Sequence, residues 1–169
     1  DPVYGNRMLL RELAKSPRLL GVWSVMPHQT GEMPAPKDIL AEMKDNGIRA
    51  AKMYPRFQHY FFDEYTCGPL LAELEDHQIP LLLDGGHAYG PDVLEPSNQV
   101  LLTELDSMLT LHPQLPVLLQ GARWDASRYL IALMSKHANL HLEFSSHQGN
   151  RVLEDFVARF GARRLLFGS

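Results

Sequence analysis

Seven polar residues stand at or just after the ends of short apolar runs, where they could bind or activate a substrate. Two are carboxylates for which we predict a catalytic role, Asp84 and Glu143. Five are predicted to bind the substrate: Lys52, His87, Gln120, Arg123 and His147. Carboxylates and histidines transfer protons, whereas amides, lysines and arginines orient or clamp polar groups. Together they indicate chemistry on a small polar molecule.

Several of these residues also have a purely structural explanation. Asp84 precedes two glycines and could cap a turn. Glu143 alternates with apolar neighbours, and a buried carboxylate needs a partner, so it could form a structural ion pair. The side chain of Lys52 could extend so that its ammonium group reaches solvent at the end of the strand, and Arg123 could pair with a nearby acid. The residue types alone leave these alternatives open.

The apolar runs are predicted to be strands of a parallel sheet, because most are apolar on both faces. They cover residues 18–27, 48–55, 80–86, 116–123, 140–146 and 164–169. Segments with helical periodicity lie between them, at 37–46, 69–78, 97–112, 125–138 and 150–160. Pro69 is expected at a first helical position, with Asp125 and Asn150 as caps.

Strict alternation of these elements predicts one α/β domain over residues 1–169. Two architectures fit, an open doubly wound sheet or part of a (β/α)8 barrel. In both, the working edge is the carboxyl end of the strands, where the seven polar residues are predicted to lie.

The composition excludes several classes of partner. The chain has a net charge of -4, and its Lys and Arg residues do not cluster beyond Arg163-Arg164, so we expect neither nucleic acid nor a membrane surface. No apolar run approaches the roughly 18 residues that span a bilayer. The single cysteine, Cys67, excludes a disulfide framework, predicts a cytoplasmic location and lacks the motif of a catalytic thiol. A small molecule is the expected partner.

One loop is rich in aromatic residues. The stretch "PRFQHYFFDEYTCG" at 55–68 follows the second predicted strand, which places it on the working edge. Such a loop could wall an apolar part of a substrate. The alternatives are that it plugs the barrel or packs against a second subunit in a homo-oligomer.

Five phrases, in order, carry a family likeness: "GIRAAKMYP", "LLAELEDHQIPLLLDGG", "HPQLPVLLQG", "HANLHLEFSS" and "FGARRLLFGS". From about residue 7 to residue 169 the chain resembles the amidohydrolase-related family of TIM-barrel metal-dependent hydrolases. The resemblance implies a (β/α)8 barrel with about six βα units, strands three to eight, truncated at both ends. The chain starts at Asp1 and ends at Gly168-Ser169, one residue before an aspartate of the family pattern.

The resemblance also implies a metal site. The family's fifth-strand and sixth-strand histidines align with Asp84 and Gln120, and Lys52 falls where some superfamily members use a fourth-strand lysine. One divalent metal, zinc in the first instance, is implied, with Asp84 as the ligand this chain provides. Glutamine is a weaker ligand than histidine.

Three functions follow as hypotheses. The first is an amidohydrolase-type hydrolase that attacks a small polar or cyclic substrate with metal-activated water. The second is a metal-free hydrolase or lyase that uses Asp84 and Glu143 near Lys52. The third is a catalytically degenerate binding barrel. The 169-residue fragment by itself is expected to be inactive and prone to associate, because missing strands would expose sheet edges.

Overall fold

The computed structural model describes residues 1–85, 96–147 and 149–168. In these residues six strands form one sheet: β1 (Val22–Ser24), β2 (Ala50–Met53), β3 (Leu81–Asp84), β4 (Val117–Gln120), β5 (Leu140–Glu143) and β6 (Leu165–Leu166). The helices are α1 (Pro2–Leu13), α2 (Pro36–Asp45), α3 (Glu64–Asp76), α4 (Pro96–Leu111), α5 (Ser127–Lys136) and α6 (Val152–Phe160). Each strand lies inside one of the predicted apolar runs.

The strands are ordered along the sheet as they are along the chain, from β1 to β6, and every neighbouring pair is parallel. A doubly wound sheet reverses its order at a switch point, whereas a barrel adds each strand beside the previous one. The open, doubly wound alternative is therefore wrong. The fold is α/β of the (β/α)8 type, with six βα units in this chain.

The two faces of the sheet differ in burial. Residues such as Met53, Leu83 and Leu119 are fully buried and join one hydrophobic core with the helices. The alternate residues, such as Lys52 and Leu118, are only partly buried. Because side chains alternate across a strand, the second set lines the inner, concave face of the curved sheet. The prediction of strands apolar and buried on both faces holds only for the helix-covered face.

Helix α1 was not predicted. Asp1 caps it by accepting hydrogen bonds from the amides of Val3 and Tyr4, at 2.9 Å and 3.2 Å, and Pro2 occupies its first turn. Its apolar residues pack against the core. An Asp-Pro pair ahead of periodic leucines is the sequence signal for this helix.

Three predicted helix starts were wrong. Helix α3 begins at Glu64 because the Asp63 carboxylate accepts the Thr66 amide at 2.8 Å, and Pro69 consequently lies inside the helix. Helices α5 and α6 begin after Asp125 and Asn150, and neither has a side-chain cap.

The side-chain amide of Asn6 fixes helix α1 to the edge of the sheet. The Nδ2 group of Asn6 donates to the carbonyl of Ser24 at 2.8 Å, and the Ser24 amide donates to Asn6 Oδ1 at 2.9 Å. The next residue, Val25, donates its amide to Lys52 on β2. Asn6 therefore supplies on the outer edge of β1 the pair of hydrogen bonds that a neighbouring strand would make. In the described part of the chain, no helix is long and apolar enough to cross a membrane.

Candidate active site

Three predicted residues are brought together at the carboxyl ends of adjacent strands. Asp84 is the register partner of Gln120, and the register of β4 with β5 places Glu143 beside Gln120 on its other side. All three belong to the inner face by alternation. Lys52 pairs with Ser24 and Leu82, so it lies on the same face one pleat repeat, ~7 Å, below the level of Asp84.

Gln120 carries an unsatisfied acceptor. Its Oε1 atom is buried and has no hydrogen-bond partner among the described residues. Its backbone carbonyl is satisfied, since it accepts the Gly85 amide at 2.8 Å. A Cβ atom at Gly85 would meet that same carbonyl, which explains the glycine after Asp84. A buried acceptor without a donor costs free energy, and such groups concentrate at functional sites.

Glu143 is held in place by the backbone. The residue is 6% exposed, and its Oε1 atom accepts the Ser145 amide at 2.5 Å. Gly168 lies against the carboxylate and has no room for a side chain there. Glu143 is thus fixed between the ends of β5 and β6. Among the described residues its carboxylate forms no ion pair, and it accepts the backbone amide of Ser145 instead.

His147 does not face the inner side of the sheet. Its ring is 2% exposed, with Nε2 3.0 Å from Ser127 Oγ and Nδ1 3.3 Å from the Ala122 carbonyl. Phe144 and Phe156 pack edge-on against it. Burial lowers the pKa of His147, which favours the neutral ring. This placement favours a positioning role for the loop after β4 over substrate contact.

Arg123 forms an ion pair within its own turn. Its Nε atom lies 3.4 Å from Asp125 Oδ2, and 36% of its side chain is exposed. This is the neighbouring acid that the sequence left open as an alternative. His87, the seventh predicted residue, lies outside the described residues.

The aromatic loop divides into an anchored part and an exposed part. Phe62 is buried, and its amide donates to Glu104 Oε2 of α4 at 3.0 Å. Phe57, Phe61 and Tyr65 are exposed. The loop is therefore tied to the helix layer and still presents aromatic surface.

Two titratable groups of this loop are buried, which raises their pKa values. Burial raises the pKa of the Cys67 thiol to about 12, so the thiolate that a nucleophile needs is absent at neutral pH. Burial likewise raises the pKa of Tyr60 above its ordinary value, and its hydroxyl has no partner among the described residues. The expectation that Cys67 is not catalytic agrees with its burial.

A cleft opens beside Lys52, between α1, the ends of β1 and β2, and the turn after β2. Its volume is about 530 Å³. Its side chains include Asn6, Ser24, Lys52, Phe57 and Gln58. Sequence reasoning missed Asn6, Ser24 and Gln58. In the sequence, only their position close to a strand end could have identified Ser24 and Gln58 as residues of the cleft. Asn6 could not have been identified, because helix α1 was not predicted.

The described residues do not assemble a metal site. Among them no group of three His, Cys, Asp or Glu side chains converges to hold an ion. Asp84 and Glu143 are separated by β4, ~10 Å between backbones, and Gln120 stands between them. A catalytic zinc needs about three protein ligands. These residues alone do not fit the metal that the family resemblance implies.

Comparisons with known proteins identify the family and the fold of the chain. The model of the amidohydrolase family matches residues 2–169, so the chain belongs to the amidohydrolase family. An uncharacterised TIM-barrel protein from Bordetella bronchiseptica is 25% identical, with a TM-score of 0.71 over 97% of this chain and 58% of that one. The chain therefore spans little more than half the length of that relative. No protein of curated function matches.

Two further solved structures share the fold. Dihydroorotase from Campylobacter jejuni is 16% identical, with a TM-score of 0.66 over 99% of this chain and 56% of that one. Amidohydrolase 2 from Bifidobacterium longum subsp. infantis is 14% identical, with a TM-score of 0.59 over 97% and 60%. These two structures show the shared fold, whereas the family model over residues 2–169 confirms the family resemblance seen in the five sequence phrases.

Proposed function

We propose that this chain forms part of a hydrolase that acts on a small polar or cyclic substrate at the carboxyl edge of its sheet. Membership of the amidohydrolase family supports the reaction class. The observation that carries the proposal is the register pair of Asp84 and Gln120 on the inner face. A carboxylate beside an amide with an unsatisfied acceptor is suited to activate water next to a bound polar group.

Each residue has a distinct task in this proposal. Asp84 accepts a proton from the attacking water. Gln120 Oε1 accepts a hydrogen bond from the substrate, which replaces its missing partner. Glu143, fixed by the Ser145 amide, is the second acid–base group. The ~10 Å between the backbones of Asp84 and Glu143 leaves room for a small substrate.

A divalent metal with Asp84 as a ligand remains a prediction. Bound zinc would polarise a carbonyl and lower the pKa of its water. The described residues do not provide its full coordination, and the proposed proton transfer from water to Asp84 does not depend on it. Metal analysis of the purified protein, with activity measured before and after a chelator, decides whether the metal-dependent or the metal-free form of the hypothesis applies.

The test of the function is an Asp84→Asn variant. The purified full-length protein that contains this chain would be screened for proton release from a panel of small cyclic esters, cyclic amides and linear amides. We expect Asp84→Asn to reduce kcat by about 10²- to 10⁴-fold, because a general base is lost while size and shape are kept. Asp76→Asn, at the exposed end of α3, is the matched control and should retain activity.

Two results would contradict the proposal. Full activity in Asp84→Asn would remove Asp84 from the chemistry. Absence of turnover across the panel, with folded protein, would favour the third hypothesis of a binding barrel.

A further inference from the structure

Lys52 lies partly buried in the cleft beside β1 and β2, with no counter-ion among the residues that the structure describes. Its ammonium lies 4.8 Å from the centre of the Tyr54 ring. Among the described residues, no carboxylate is within ion-pair distance of it. A partly buried cation keeps much of its desolvation cost unless an anion compensates it. An aromatic face offsets only part of that cost.

The other polar groups of the cleft do not neutralise Lys52. The carboxylate of Asp1 already accepts the amides of Val3 and Tyr4. The amide of Asn6 is consumed by its two hydrogen bonds to the Ser24 backbone. Asp1 is the other charged residue of the lining, and its carboxylate caps α1 and forms no ion pair with Lys52.

The rest of the cleft suits a flat apolar body. Phe57 is 58% exposed and lines the cleft together with the Tyr54 ring. Flat rings stack favourably on aromatic side chains. The cleft volume of about 530 Å³ falls in the range of pockets that hold small ligands. Gln58 Oε1 is buried without a partner among the described residues and adds an acceptor for a donor on the ligand.

We infer that this cleft binds a small monoanion with a planar apolar body, held by Lys52 through its charge and by Phe57 through its ring. Lys52 lies on the same inner face as Asp84, so the anion would be the non-reacting part of the substrate. In this respect the inference rests on the proposed function. The anionic group sets which substrates are accepted, while the reacting group is presented toward Asp84 and Gln120.

Binding without turnover tests the inference separately from the function. Benzoate and benzamide have nearly the same shape and differ in charge, so calorimetric titration of both into the protein isolates the role of the ammonium. We expect benzoate to bind at least tenfold more tightly than benzamide. Lys52→Met should remove that preference, and Lys52→Arg should retain most of it. Lys44→Met, on the exposed face of α2, is the matched control and should change nothing.

Three outcomes would overturn the inference. Equal affinity for benzoate and benzamide would show an apolar cleft without anion selectivity. An unchanged preference in Lys52→Met, or its loss in Lys44→Met, would place the anion elsewhere. Absence of binding by either probe to a protein with an unchanged thermal melt would remove the site. A benzoate preference together with unaffected activity in Asp84→Asn would retain the anion site and refute the function.

Discussion

The two ends of the sheet differ in their unsatisfied polar groups, although Glu143 and His147 at the carboxyl end are hydrogen-bonded. At the amino end, His112 lies between Glu75 and Glu64, at 3.0 Å and 3.2 Å. His137 Nε2 lies 2.6 Å from Asp106. At the carboxyl end, Gln120 Oε1 and the Lys52 ammonium have neither a hydrogen-bond partner nor a counter-ion among the described residues. Satisfied buried groups stabilise a fold, whereas a buried polar group without a partner costs free energy and requires an explanation, such as a role in function.

The same contrast explains why histidine is a poor guide to function here. His112 and His137 are both buried, and each is paired with acids of the helix layer. Both follow a helix and precede a strand, so they lie at the face of the barrel associated with stability. The groups that carry the proposed chemistry are instead a carboxylate, an amide and a lysine.

Removing the hydrogen bonds of Arg164 at the amino end of the sheet should have the largest effect on stability. Arg164 donates hydrogen bonds to the carbonyls of Met134, His137 and Leu140, at 2.6 to 3.0 Å. We expect Arg164→Ala to lower the free energy of unfolding by about 3 kcal/mol, because several carbonyls lose a charged donor. Urea denaturation measures this loss.

The matched control for Arg164 is its exposed neighbour in the same turn, Arg163. Arg163→Ala should change the free energy of unfolding by less than about 0.5 kcal/mol. Equal losses in the two variants would mean that the contacts of Arg164 do not stabilise the amino end.

At the carboxyl end of the sheet, removing an unsatisfied polar group should increase the stability of the protein. Gln120→Leu removes a buried acceptor that has no described partner and keeps the side-chain volume. We expect it to raise the free energy of unfolding by about 1 kcal/mol and to lower activity, since removing an unsatisfied polar group is favourable. Thermal and urea unfolding, with Gln114→Leu as an exposed control, provide the measurement. A loss of stability would show that Gln120 is structural.

The smallest expected effect concerns Asp106. Hydrogen bonds from His137 and then Lys136 lower the pKa of this carboxyl. A carboxyl whose pKa is lower in the folded state adds stability above its unfolded pKa, about 4, and loses it as the pH falls through the folded pKa. Asp106→Asn should therefore cost less than about 1 kcal/mol at pH 7, since the pair is partly exposed.

That cost should shrink steadily as the pH is lowered below about 4. Unfolding curves over a pH series follow the difference between variant and wild type. Asp45→Asn, exposed on α2, should show no such trend. A cost that stays constant with pH would mean that the Asp106 contacts are not electrostatic.

The strands could be predicted from the sequence because they lie in short apolar runs, and four of them, β1, β3, β4 and β5, end in a polar residue. Asp84 and Gln120 each end one of these strands, and they are register partners in the sheet. Helix starts could not be placed as well. By residue type, Asp63, Asp125 and Asn150 are equally good helix caps. Only the side chain of Asp63 accepts a hydrogen bond from a backbone amide in the first turn of its helix. Capping depends on a side-chain geometry that residue type does not specify.

The roles of Arg123 and His147 could not be read from residue type either. Arg123 meets Asp125 because the turn after β4 folds back on itself. His147 meets Ser127, which is 20 residues away along the chain. Both contacts depend on how loops cross, and local patterns do not encode that path. A histidine after a strand looks the same in sequence whether it enters a site or packs between phenylalanines.

The hydrogen bonds between Asn6 and Ser24 also bear on self-assembly. An edge strand with free backbone groups is a template on which a strand of another molecule can add, which leads to aggregation. β1 has only three residues, and Asn6 occupies both backbone groups of Ser24 on its outer edge. The side chain of Asn6 thereby makes the amide and the carbonyl of Ser24 unavailable for pairing with another strand. In this chain Asn6 therefore both lines the cleft and occupies backbone groups of β1 that would otherwise be open to another strand.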